Sequence, residues 1–109
     1  MATTFKNKVV TAIGTETVEV LATNDNNRIT VVGFSLANLT DGVVLLDVTL
    51  RDADSSTGYY AKEMILPPNT SLRVLNGGEK LILTPNNNLY VKANVDNSLD
   101  CILSTVEIV

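Results

Sequence analysis

The feature that most constrains the fold is the regular spacing of turn signals along the chain. Clusters of Asn, Asp, Gly, Pro and Ser interrupt the sequence roughly every 8–12 residues, a spacing typical of a β-sandwich or a β-barrel. The clusters lie at 14–15, 23–27, 40–42, 54–58, 67–69, 76–78, 85–88 and 96–98. Each residue type in them favours a turn for its own backbone reason, so the spacing predicts short strands joined by short loops.

The segments between the turns are rich in residues that favour strands. The chain has 14 Val, 6 Ile and 13 Thr, and a branched Cβ fits a pleated surface well. No segment has the apolar i, i+3, i+4 pattern of a helix over a sufficient length. Nine strands are predicted, at 5–13, 16–22, 28–39, 43–52, 58–66, 71–75, 79–84, 89–95 and 99–108.

These patterns predict an all-β fold, an antiparallel β-sandwich of about eight to nine strands that is jelly-roll or immunoglobulin-like. The length of 109 residues fits one domain covering 1–109. Because the first residues are polar, we expect a flexible N-terminal arm at 1–4.

Two loops are predicted to be three-residue hairpin turns, 40–42 and 96–98. Alternation places apolar residues on one face of each flanking strand, and a register shift of one residue would mix core and solvent faces. The predicted cross-strand pairs are Phe34 with Val48, Leu36 with Leu46, Ser35 with Asp47, Val95 with Leu99, and Ala93 with Cys101. Gly42 is expected in the left-handed conformation that such loops need.

The end of the chain departs from this alternation. Cys101 is expected to be a small core residue. Past Ser104 the apolar positions shift to Val106 and Ile108, which predicts a bulge or burial on both faces. The segment 106–109 either pairs within its own sheet or is completed by another subunit.

Charge and composition restrict the classes of partner. The net charge is −4 and the isoelectric point is about 4.5, which disfavours nucleic acid and anionic membranes. The single Cys101 cannot form an internal disulfide. No apolar run is long enough to span a membrane, and the first residues lack the apolar core of a signal peptide. We therefore expect the chain to fold in a cytoplasm.

Catalysis is not expected. The chain has no histidine, the usual general base, and it has no nucleophile-elbow motif. We interpret its carboxylates as solvated residues of turns and strand surfaces. The sequence therefore predicts no catalytic residues, no cofactor and no enzyme activity.

One acidic segment resembles a calcium loop. Asp52, Asp54, Ser56 and Glu63 match ligand positions 1, 3, 5 and 12 of such a loop. Thr57 occupies the position that requires glycine, and the flanking segments are predicted strands instead of helices. We interpret the segment as a polar hairpin loop and predict no metal site.

Three tyrosines offer a second possible site. Tyr59, Tyr60 and Tyr90 could form a platform on which a sugar stacks. The alternative interpretation is that each ring packs against the sandwich with its hydroxyl in water.

Several segments together resemble small bacteriophage virion proteins. In the stretch 65–83 a strand ends at Pro67-Pro68, a small polar turn follows, and a short strand leads to a Gly-containing turn with Lys80-Leu81. The stretches 29–38, 89–93, 98–104 and 106–108 continue the resemblance, which covers about residues 28–109. The sequence departs from these proteins in the 85–88 turn, Pro-Asn-Asn-Asn, and in a longer loop at 52–58.

The resemblance implies a β-sandwich accessory protein of a phage particle with no catalytic residues. Our leading hypothesis is a capsid decoration (cement) protein that binds the shell exterior. It would be a homo-oligomer, with a trimer favoured, and would be located in the virion after synthesis in the host bacterial cytoplasm. Its partners would be the major capsid protein or other virion structural proteins. The alternatives are a neck, tail or baseplate structural protein, and a carbohydrate-binding module for host adsorption.

Overall fold

Nine β-strands make up most of residues 2–75 and 79–109, which the computed structural model describes. They are β1 (Thr3–Ile13), β2 (Val18–Ala22), β3 (Arg28–Asn38), β4 (Val44–Arg51), β5 (Thr57–Leu66), β6 (Ser71–Arg73), β7 (Leu81–Leu83), β8 (Asn88–Ala93) and β9 (Leu99–Ile108). All nine predicted strands are present, with bounds that agree to within two residues. The predicted turn at 76–78 lies outside the described residues.

Two antiparallel sheets pack face to face and confirm the predicted sandwich. Sheet A has the order β1-β9-β3-β6, with β7 also paired to β3, and sheet B has the order β2-β8-β4-β5. The strands pair in a nested way: first with last, second with next to last, and β4 with β5 at the centre. This arrangement is a long hairpin rolled up on itself, which is a jelly roll and not an immunoglobulin-like topology.

Both predicted three-residue hairpins are wrong, because each of these loops crosses from one sheet to the other. Phe34 pairs with Leu103 instead of Val48, and Leu36 pairs with Cys101 instead of Leu46. The alternation argument identified the buried faces correctly, since all of these side chains lie in the core. Strands that face each other across a sandwich bury the same side chains as strands paired within one sheet.

The same error affects the loop 96–98. Ala93 pairs with Leu46 in sheet B, while Leu99 pairs with Asn38 and Ile13 in sheet A. Val95, expected in the core, is 37% exposed.

The backbone conformations of the two loops differ from the hairpin expectation. Asn97 is left-handed, with φ 52°. Gly42 is not left-handed, contrary to the prediction.

A β-bulge changes the alternation within β3. Ile29 and Val31 are buried, but after the bulge at Val32 the core positions become Phe34 and Leu36. The inserted Val32 is 45% exposed. The bulge places odd-numbered and even-numbered residues of one strand on the same core face.

The last strand lies at the centre of sheet A, between β1 and β3. Its segment 106–108 therefore pairs within its own sheet. This is the first of the two alternatives for the C-terminal residues, and completion by another subunit is not needed. Thr105 continues the core face of Cys101 and Leu103, and Val106 and Ile108 are half-buried on the opposite face. The bulge of β3 lies opposite Ser104 and Thr105 of this strand.

The N-terminal residues belong to the sheet and do not form the expected arm. Thr3 pairs with Ile108 and Thr4 with Glu107, and Ala2 is hydrogen-bonded to Val109. Met1 lies outside the described residues. In the described ranges, no helix is long and apolar enough to cross a membrane.

Candidate interaction surface

The outer face of sheet A carries large apolar side chains on four of its strands. One row across the sheet runs Phe5, Val106, Thr30 and Ile82, which are cross-strand neighbours on β1, β9, β3 and β7. Phe5 is 80% exposed and Ile82 is 58% exposed. The row is therefore apolar at both of its ends.

A second row lies four residues away along β1 and β9. Val9 pairs with Ile102, and Ile102 pairs with Ser35. Val9 is 58% exposed and Ile102 is 49% exposed. Beside this row a shallow groove of about 350 Å³ is lined in part by Val32 and Arg73.

Together these residues form what we call the apolar outer face: Phe5, Val9, Val32, Ile82 and Ile102. The outer face of an antiparallel sandwich usually carries polar residues because it meets water. A polar row of Asn7 and Ser104 lies between the two apolar rows. Large exposed apolar side chains on such a face are typical of a surface that another protein covers. This arrangement is suited to binding a partner.

The segment that resembles a calcium loop in sequence is organised by its first aspartate. The Asp52 carboxylate accepts hydrogen bonds from the N–H groups of Asp54 at 2.9 Å and of Ser56 at 3.0 Å. The Asp52 N–H donates to the Ser56 carbonyl at 2.9 Å. These bonds close the β4–β5 turn, so Asp52 acts on the backbone of its own loop.

Glu63, the fourth residue of that pattern, lies within β5 and away from the turn. Its backbone is left-handed, with φ 49°, at a bulge where the Glu63 N–H donates to the Asp47 carboxylate at 2.7 Å. No group of three metal-binding side chains occurs in residues 2–75 and 79–109. The four residues singled out by sequence are therefore not brought together.

Two of the three tyrosines share the outer face of sheet B. Thr49 pairs with Tyr59 on one side and with Tyr90 on the other, so the two rings flank Thr49 on adjacent strands. Tyr59 is 58% exposed, and the Lys62 ammonium lies 4.4 Å from its ring centre. A cation over an aromatic face is a favourable contact.

Tyr60 lies at a bulge and is half-buried against the core. Its hydroxyl donates a hydrogen bond to the Glu79 carboxylate. Burial and this carboxylate raise the pKa of Tyr60 to about 12. Tyr60 therefore serves as a structural contact and does not extend the platform of Tyr59 and Tyr90.

Cys101 lies fully in the core, as predicted. Burial raises the pKa of its thiol to about 12. Because the reactive species is the thiolate, this thiol is inert in the folded protein.

Two carboxylates connect distant parts of the chain. Glu107 accepts from the Lys6 ammonium at 2.6 Å and from the Asn27 amide at 2.6 Å, and these hydrogen bonds lower the pKa of Glu107. Asp96 accepts from the Thr15 hydroxyl at 2.8 Å, and its pKa is also lowered, mainly by that bond. The first contact joins β9 to β1 and to the β2–β3 loop, and the second joins the β8–β9 loop to the β1–β2 loop.

Sequence reasoning missed the first strand as part of a surface. The polar start of the chain predicts an arm at 1–4, and the alternation that begins at Phe5 predicts an ordinary strand. The available signal was the alternation of Phe5, Asn7 and Val9 with Lys6 and Lys8, which is the pattern of a solvent-exposed edge.

No protein-family model matches this chain, and no curated protein matches it in sequence. Solved structures do match it. A chain from Bacillus endospore appendages, described as disulfide-linked pili, is 8% identical with a TM-score of 0.58, over 97% of this chain and 85% of that one. A chain of the T13 particle of infectious bursal disease virus is 11% identical with a TM-score of 0.54, over 96% of this chain and 30% of that one.

A third match is a chain of the acid-stable capsid of Helicobacter pylori bacteriophage KHP30. It is 12% identical with a TM-score of 0.52, over 100% of this chain and 89% of that one. The chain therefore spans under a third of the bursal disease virus chain but most of the phage chain. At such low identity these likenesses show a shared β-sandwich fold.

Proposed function

We propose that this chain is a structural protein of a virus particle, and specifically a capsid decoration (cement) protein that binds the exterior of the shell. The observation that carries the proposal is the apolar outer face of sheet A. An acidic protein with one uncovered apolar sheet face is suited to lie on a larger assembly, with its remaining surface in water.

The fold supports this class of function. Jelly rolls recur in viral capsid proteins, and two of the structural matches come from virus particles. The phage chain is little longer than this one, which favours a small accessory protein over a shell-forming protein. The pilus match is described as disulfide-linked, whereas the single cysteine here is buried at 0% exposure and has no access to a second chain.

The proposed partner is the major capsid protein or another virion structural protein, and the proposed location is the virion after synthesis in the host bacterial cytoplasm. We propose a homo-oligomer, with a trimer favoured. Several modest contacts per oligomer would then add through high effective concentration. The proposal assigns no catalysis to a chain without histidine.

Copy number tests this role directly. A decoration protein is present in hundreds of copies per particle and co-purifies with tailless heads. A protein found at low copy in tail or neck fractions would instead support the neck, tail or baseplate function.

A pair of matched variants tests the surface. We expect Ile102→Asp on the apolar outer face to abolish binding of the purified protein to bare shells. We expect Ile65→Asp to bind normally, because Ile65 is 64% exposed but belongs to sheet B. Equal binding by both variants would show that the apolar outer face is not the shell contact.

A carbohydrate-binding role is the second candidate, favoured by Tyr59 and Tyr90 on the outer face of sheet B. Jelly rolls also occur among lectins. Glycan-array binding that is lost in Tyr59→Ala and Tyr90→Ala would support this role. Absence of binding to every glycan would remove its support.

A further inference from the structure

The strand β1 forms one edge of sheet A, and one side of it is unpaired. Among residues 2–75 and 79–109, its only ladder is with β9. It is eleven residues long, and nine of its residues, Thr3–Val9, Thr11 and Ala12, are exposed. Such an edge presents a row of N–H and C=O groups that another strand can pair.

The hydrogen bonds at the start of β1 show which residues face the free side. The Ala2 N–H donates to the Val109 carbonyl at 3.0 Å, and the Val109 N–H donates to the Ala2 carbonyl at 2.9 Å. In an antiparallel ladder such doubly bonded pairs alternate with unbonded pairs, and the register here is continuous as far as Val10. The even-numbered residues of β1 therefore bond to β9. The residues between them, Thr3, Phe5, Asn7 and Val9, direct their backbone N–H and C=O groups to the free edge.

Apolar and basic side chains alternate along this edge and lie on opposite faces of the sheet. Phe5 and Val9 lie on the apolar outer face. Lys6 and Lys8 point to the opposite face, since their cross-strand partners Thr105 and Leu103 are core residues. An added strand would meet apolar groups on one face and ammonium groups on the other.

The charge of this edge restricts what can pair with it. The first fifteen residues hold two lysines and no carboxylate, in a chain of net charge −4. Lys6 is bound to Glu107, but no carboxylate in the described part of the chain lies within 4.0 Å of the Lys8 ammonium. Lysines on an edge oppose pairing with neutral or basic strands, while opposite charges directly across a ladder are favourable.

We propose that the free edge of β1 binds an extended segment of a partner protein with the pattern apolar-acidic-any-acidic-apolar, as an added strand of sheet A. The apolar residues would cover Phe5 and Val9, and the acidic residues would pair with Lys6 and Lys8. The pattern is symmetric, so it fits either strand direction. This inference rests on the proposed function only for the source of the segment, an arm of a shell protein.

A second copy of this chain does not have the sequence pattern that the free edge of β1 requires. No five-residue segment of its sequence has the pattern apolar-acidic-any-acidic-apolar. Two β1 strands paired antiparallel about Asn7 would also place Lys6 opposite Lys8 of the other copy, and like charges in direct opposition destabilise a ladder.

The test uses the purified protein and a synthetic peptide, Thr-Val-Glu-Thr-Glu-Val-Thr, followed by NMR. We expect slowed amide hydrogen exchange at Phe5, Asn7 and Val9, and shifts confined to β1 and its neighbours. Lys8→Glu should weaken binding of this peptide about tenfold and should favour a version with Lys in place of one Glu, which complements Lys6 and the new carboxylate. A scrambled peptide of the same composition is the control.

Asn7→Pro removes an outward N–H without removing a bond to β9, so it should block the added strand in a folded protein. The proposal is overturned if exchange at β1 is unchanged, if Lys8→Glu binds the acidic peptide equally well, or if the shifts fall on β5. It is also overturned if the protein self-associates and Asn7→Pro abolishes this, because the occupant is then a second copy. The copy number in particles is measured in a separate experiment. Failure of the proposed function can therefore be distinguished from failure of the added-strand proposal.

Discussion

The side-chain amide of Asn38 lies 3.1 Å from the carbonyl oxygen of Leu66 and donates a hydrogen bond to it across the fold. Asn38 ends β3 in sheet A, and Leu66 ends β5 in sheet B. The same amide donates to the carbonyls of Gly42 and Pro67, while its oxygen accepts from the Thr40 N–H. One buried side chain therefore fixes the corner where the chain crosses between sheets.

We expect Asn38→Ala to destabilise the protein by roughly 3 kcal/mol or more. It removes the side-chain partner of the buried Leu66 carbonyl and of three part-buried backbone groups, and a buried group left without a partner costs about 1–3 kcal/mol. Urea denaturation measures the change. Asn88→Ala, which removes only the hydrogen bond to Glu19, is the control and should cost about 0.5 kcal/mol. Similar losses in the two variants would show that the corner is not held by Asn38.

Stability should fall in acid partly through Glu107. Its folded-state pKa is lowered by Lys6 and Asn27, so its contribution is present above the unfolded pKa and is lost as pH falls through the folded pKa. Glu107→Gln should therefore reduce stability at pH 7 and flatten the decline between neutral and acidic pH. Unfolding midpoints measured across this range test the difference in slope.

Glu16→Gln is the control for that series, because Glu16 takes part in none of the hydrogen bonds of the described chain. It should leave the slope close to that of the wild type. If Glu107→Gln keeps the wild-type slope, the contact with Lys6 makes no contribution to acid sensitivity.

Cys101 should resist thiol reagents in the folded protein. Its pKa is raised to about 12 by burial, and the side chain has no exposed surface. We expect no reaction with a disulfide reagent at pH 8 and complete reaction in urea. Ser104→Cys in a Cys101→Ala background is the matched control, because position 104 is exposed on the same strand and should react at once.

Gly14 and Gly42 should differ in their tolerance of a side chain. A Cβ at Gly14 would lie 3.1 Å from the backbone nitrogen of Asn97 and 3.1 Å from the Cα of Asp96. Gly14→Ala should therefore cost about 1–3 kcal/mol through crowding. Nothing lies within 4 Å of a Cβ at Gly42, and Gly42→Ala should change stability by about 0.5 kcal/mol at most. Thermal unfolding of the two variants gives the comparison.

The positions of the strands and the identity of the core could be predicted from sequence, because turn residues and period-two alternation are local signals. This alternation assigns Val48 and Cys101 to the core, and both are buried. The pairing of the strands could not be predicted in this way. Phe34 reaches the core whether Val48 lies beside it in a sheet or opposite it across the sandwich.

The irregular backbone positions could not be predicted from the sequence either. The bulge at Val32 and the left-handed Glu63 interrupt strands without a Gly or a Pro at the inserted position. The conformation of Glu63 has a tertiary cause, since its N–H is held by the Asp47 carboxylate on the neighbouring strand. The apolar outer face was missed because its members lie far apart in sequence and meet only through the β1-β9-β3 order.

The nested pairing of the strands also has a kinetic consequence. Since β1 has β9 as its only described partner, β1 cannot dock until β9 has been synthesised. The β4–β5 hairpin can form early, but closing sheet A requires contacts across almost the whole chain, and such contacts slow folding. We expect the nascent chain to hold β1 unpaired until β9 emerges from the ribosome, so that the β1–β9 ladder closes the sandwich last.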